Sequence, residues 1–134
     1  MSTKSLIFLS FLLAFAVALQ DGDQIAFKAH GSPKPQWQYM TSGNGTVRLT
    51  RNIDYSQPSG TWWKAHKLSD GSWAFEALGN ITGNVWLNGN THTGGVNLQA
   101  NTVYATNSGT QWNLVTLADG NVALQTLNTF KNRK

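Results

Sequence analysis

Cysteine is absent from the 134-residue chain, which leaves it without disulfides or a thiolate nucleophile. Small extracellular domains often lean on disulfides because a small core is a weak one. Hydrophobic burial must do that work here, and six Trp and six Phe supply it, although Phe8, Phe11 and Phe15 lie in an apolar leader. Carboxylates are scarce: Asp21, Asp23, Asp54, Asp70, Glu76 and Asp119 are all there are. Asp70 and Asp119 each precede a glycine, where Asp-Gly is chosen for turn geometry. Asp21 and Asp23 flank a glycine and read as solvated. Asp54 and Glu76 are a formal pair for glycoside hydrolysis, but nothing in their spacing supports that role.

Other catalytic signatures are missing too. There is no G-x-S-x-G elbow. The histidines, His30, His66 and His92, have no partner at metal-ligand spacing and read as surface or rim residues. The expectation is a protein that is not an enzyme and takes neither a metal nor a cofactor. Charge excludes a further class. Of the net +4, Lys4 and the tail residues Lys131, Arg133 and Lys134 account for everything, leaving the body neutral. A nucleic-acid binder carries a basic stripe through its fold, so no nucleic-acid partner is expected.

Only one long apolar run occurs, over residues 6–18. Lys4 precedes it and Ala16-Val17-Ala18 ends it with the small-x-small pattern of signal peptidase. The run is shorter than the ~20 residues a spanning helix needs. Residues 1–18 therefore read as a signal peptide, residues 19–134 as one domain, and the protein as secreted and extracellular with no membrane span.

What the domain does contain is a repeat. "SGTWWKAHKLSDG", residues 59–71, returns as "SGTQWNLVTLADG", residues 108–120, with a spacing of 49 residues. Ile25 and Phe27 match Trp73 and Phe75, Trp37 matches Trp86, and Val47 and Leu49 match Val96 and Leu98. Trp63 matches Trp112, a pair that reads as core pillars. The matched segments alternate apolar and polar residues, the period of strands with one buried face. Gly- and Asn-rich turn signals separate them. The units run over about residues 24–71 and 72–120. A third begins at residues 121–134, with Val122 and Leu124 in the places of Trp73 and Phe75. No helical periodicity occurs after the leader, so the expected class is all-β.

Four-stranded units of this length suit a propeller blade, but propellers typically need at least four blades. They also suit a β-trefoil. "GDQIAFKA" resembles the opening strand of a fascin-like lobe, and "SGTQW" loosely resembles the closing strand of a ricin-B-lectin lobe, with Gln adjacent to Trp. The resemblance implies a β-trefoil-like domain with two full units and the start of a third. Such a chain is a fragment, or completes itself by pairing with another chain as a homo-oligomer, or stands alone as an open sheet. Exposed edges disfavour the last.

The polar candidates point to binding. Alternation turns Trp62 outward beside Lys64 and His66, where an indole stacks on the apolar face of a sugar or anchors a protein contact. "WLNGNTHTGG", residues 86–95, sets Trp86 beside Asn88, Asn90 and His92. Amides next to an aromatic provide the paired donors and acceptors that neutral sugar hydroxyls require. The competing reading is a turn of Asn and Gly selected for positive φ. The expected function is a lectin-like, carbohydrate-binding module; the alternative is a structural or interaction protein with fascin-like protein contacts that self-assembles through its incomplete third lobe, so the partner is carbohydrate or an extracellular protein. Asn44 and Asn80 head sequons that accept glycans on a eukaryotic secretory route.

Overall fold

The structure, a computed structural model, describes residues 19–30, 38–51, 60–79, 81–90, 92–100, 105 and 109–127, the side chain of Asn44 excepted. These residues form an all-β fold with antiparallel pairing and no α-helix. No helix among them is long and apolar enough to cross a membrane. The leader, Trp37, Asp54 and Asn80 lie outside the described residues.

The strands are β1 (Gln24–Ile25), β2 (Tyr39–Thr41), β3 (Arg48–Thr50), β4 (Trp63–Lys67), β5 (Trp73–Ala77), β6 (Asn84–Gly89), β7 (Val96–Ala100), β8 (Trp112–Thr116) and β9 (Val122–Thr126). β2 and β3 form a two-stranded sheet, and the other strands join in one sheet of seven. Within it, β1 pairs with β4, β4 with β5, β5 with β8, and β8 with β9. β5 sits at the centre: Trp73 opposes Lys67 of β4 and Trp112 of β8, while Glu76 opposes Lys64 of β4 and Trp86 of β6.

The repeat is written into the backbone. Gly22, Gly71 and Gly120 lie 49 residues apart and have φ of 87°, 86° and 85°. Each follows an aspartate, so the Asp-Gly turn occurs three times, just ahead of β1, β5 and β9. Positive φ strains any residue with a Cβ, which fixes glycine at the same point of each unit. Asp21 is not merely solvated: its carboxylate accepts the backbone N–H of Lys67 at 2.9 Å and ties the first turn to the end of β4.

The core follows from the matched aromatics but not from the matched Val-x-Leu pattern, in which Leu98 is buried while its counterpart Leu49 and Val96 are exposed. Trp63, Ala65, Trp73, Phe75, Ala77, Leu87, Leu98 and Trp112 cluster in the interior, with Phe27 edge-on to Phe75 at 5.0 Å and to Trp63 at 5.9 Å. Trp63 donates its indole N–H to the carbonyl of Met40 at 3.3 Å, and Trp112 donates to that of Leu87 at 3.0 Å. Satisfying that donor is what lets an indole be buried at little cost.

One matched pair shifts. Met40 opposes Leu49 and Leu87 opposes Leu98, so the strand registers set Tyr39, not Trp37, opposite the counterpart of Trp86's partner. The offset between units is thus 47 residues for β2 and β6 but 49 for β3 and β7. The turn joining β6 to β7 absorbs the difference.

Candidate functional site

The polar hairpin of β6 and β7 divides into a buried stem and an exposed tip. Trp86, Leu87 and Asn88 are three consecutive buried residues, where simple alternation would bury only every other one. A register irregularity between Asn84 and Trp86 breaks the pleat, and a strand so disturbed does not keep its period. Trp86 is 5% exposed and packs edge-on against the His66 ring at 4.9 Å. Asn88 is 7% exposed and donates its amide N–H to the side-chain oxygen of Asn97, directly opposite, at 2.7 Å. Both residues are thus engaged in holding the hairpin.

The tip is held by Asn90. Its side-chain oxygen accepts the backbone N–H groups of His92 and Thr93 at 2.9 and 3.2 Å. Its own N–H donates to the Gly95 carbonyl, and its carbonyl accepts the N–H of Gly94, each at 2.8 Å. This Asx arrangement mimics a backbone turn. It leaves His92 and Thr93 exposed on a loop whose backbone is already fixed. Trp62 lies elsewhere, half-buried at the entry to β4, with its carbonyl accepting the N–H of Leu78 at 3.0 Å. The structure therefore brings Asn90 and His92 together at the tip, while the indole of Trp86 is buried against His66.

A second polar group lies on the outer side of β4 and β5. His66 Nε2 and Glu76 Oε2 are 2.8 Å apart, beside Trp86. The pair, about a quarter and a third exposed, fixes Glu76 across the sheet rather than leaving it to solvent. Among the described residues no three His, Cys, Asp or Glu side chains gather as metal ligands. Asp70 and Asp119 close the two later turns. Asp70 accepts the hydroxyl and backbone N–H of Ser72, and Asp119 the backbone and amide N–H groups of Asn121. These bonds favour the charged carboxylate and hold both groups below the usual aspartate range. Asn44 sits in a 3-10 turn, Gly43–Gly45, at the tip of the β2–β3 hairpin.

Sequence reasoning passed over the end of the β8–β9 hairpin. Val122 is 49% exposed, whereas Trp73 at the same place in the preceding unit is 8% exposed. Leu124 is half-buried where Phe75 is fully buried, and Leu117 is 44% exposed. Between this hairpin and the chain just after β1 lies a groove of about 440 Å³, lined among others by Phe27, Lys28, His30, Leu117, Asp119 and Val122. The signal was available as the replacement of a large aromatic by valine. Comparison with known protein families, with curated proteins and with solved structures finds no match.

Proposed function

We propose that this chain is a secreted, non-enzymatic binding module on a β-trefoil-like plan, and that its ligand is carbohydrate. The order of pairing supports the plan. The opening and closing strands of successive units, β1, β4, β5, β8 and β9, follow one another across the sheet, and each full unit sets off a hairpin, β2–β3 or β6–β7. The carbohydrate reading rests on one observation, the Asn90-clamped tip. It presents the imidazole of His92 and the hydroxyl of Thr93 from a loop that loses little freedom on binding. Weak polar ligands gain most from such preorganisation. Stacking falls to Trp62 as a separate contact, since Trp86 is buried.

The test is retention of the purified protein on a panel of immobilised neutral oligosaccharides. Retention that is lost in His92→Ala or Trp62→Ala, with folding unchanged, supports the reading. Retention on no member of the panel sinks it. A second reading, an assembling protein with fascin-like contacts, is favoured by the exposed apolar side chains of Val115, Leu117 and Val122 on the β8–β9 hairpin.

A further inference from the structure

β5 and β9 are the opening strands of successive units, yet their surroundings differ. β5 has β4 along one edge and shares the other between β6 and β8. β9 has β8 alone among the described residues. Exposure follows the missing neighbour: Ala74 is fully buried where Ala123 is half-exposed, and Trp73 is buried where Val122 is open. Both faces of the hairpin end carry apolar side chains. Val122 opposes Thr116 on one face, and Val115, 40% exposed, opposes Ala123 on the other. A strand edge and an apolar end left open together form a template for another chain.

The groove beside this hairpin is charged in a particular way. Its β1 side carries Lys28 and His30, and its hairpin side carries Asp119. His30 lies close enough to Asp119 to favour that carboxylate's charged form. A surface with a basic half and an acidic half is complementary to itself when turned through a two-fold axis, because residue i then meets j and j meets i. We infer that a second copy of this chain docks at this seam in an isologous dimer, with the β8–β9 hairpin end of each copy against residues 26–30 of the other. Asp119 of one copy then faces Lys28 and His30 of the other, and Val122 and Leu117 leave water. The inference takes up the assembling reading and stands independently of carbohydrate binding.

Charge exchange tests it. The solution mass of the full secreted chain is measured by light scattering across a dilution series, together with Lys28→Glu and Asp119→Lys. The wild type is expected at twice the chain mass. Each single variant sets like charges against each other and falls to the chain mass. Mixing the two variants restores the doubled mass, since each then offers the other an opposite charge on both sides of the axis. Asp119→Lys also removes a turn bond, so Val122→Asp, on an exposed side chain, provides a second disruption without that loss.

A wild type that stays at the chain mass at every concentration overturns both the dimer and the assembling reading. A larger assembly that ignores Val122→Asp and the charge variants overturns this interface while leaving assembly standing.

Discussion

Trp63 and Trp112 are held by the same bond in successive units. The indole N–H of Trp63 reaches the carbonyl of Met40, and that of Trp112 the carbonyl of Leu87, although the two carbonyls lie at different distances along the sequence from their tryptophans. The contact is kept even where the sequence offset changes. Replacing either indole by phenylalanine removes the donor from a carbonyl that is buried for Leu87 and part-buried for Met40, which costs about 1–3 kcal/mol, with a further cost for the volume lost. Trp63→Phe and Trp112→Phe are expected to lower stability by similar amounts in denaturant unfolding. A loss confined to one of them would show that the two units are not equivalent in their packing.

Trp86 and Asn88 give a prediction that separates packing from binding. Trp86→Ala opens the interior and is expected to cost about 3–5 kcal/mol. Asn88→Ala removes the bond to Asn97 and is expected to cost about 1 kcal/mol. Both are read from the denaturant midpoint. If either variant kept full stability yet lost retention on oligosaccharides, the residue would belong to a ligand site after all.

Gly60 makes a close approach. A Cβ there would collide with the side chain of Thr41 and lie 2.8 Å from the backbone nitrogen of Gly43. Gly60→Ala is therefore expected to destabilise by about 1–3 kcal/mol, the usual cost of overpacking. Gly43→Ala meets only the Thr41 hydroxyl at 3.4 Å and an arginine tip at 3.7 Å, and should cost less. The reverse order would place the β2–β3 tip away from Gly60.

Asp70 and Asp119 predict a pH response. Hydrogen bonds lower the pKa of each in the folded protein, from Ser72 for Asp70 and from Asn121 for Asp119. A folded pKa below the unfolded one means stability that is present above the unfolded value of about 4 and disappears as pH falls through the folded value. Melting temperature should drop on that acid flank, and less steeply in Asp70→Asn and in Asp119→Asn. Ser72→Ala removes the largest influence on Asp70 and should flatten the flank in the same direction. An acid flank identical in all four proteins would contradict the turn bonds.

Much of the fold was legible because the turns carry it. The Asp-Gly pairs and the Trp at each closing strand recur at one spacing, and backbone geometry ties glycine to that place. Trp63 and Trp112 could accordingly be placed inside from their equivalent places in the repeat. The β6–β7 hairpin was less legible. A turn of changed length shifted β2 against β6, so Tyr39 rather than Trp37 corresponds to Trp86, and the irregularity after Asn84 buried three residues in a row. Alternation cannot report either event. The Asn90 clamp was visible only as a turn-prone residue, and which described strands flank β9 is a property of topology rather than of any local pattern.

Among the described residues β9 has β8 alone where β5 has β4, β6 and β8, and the central proposal is that a second copy covers the β8–β9 hairpin. Amide hydrogen exchange of β5 and β9, followed on concentrated and on dilute protein, tests this most directly. β5 should stay protected at both concentrations, while β9 should be protected when concentrated and exchange quickly when dilute. Equal protection of β5 and β9 at every concentration would contradict the claim.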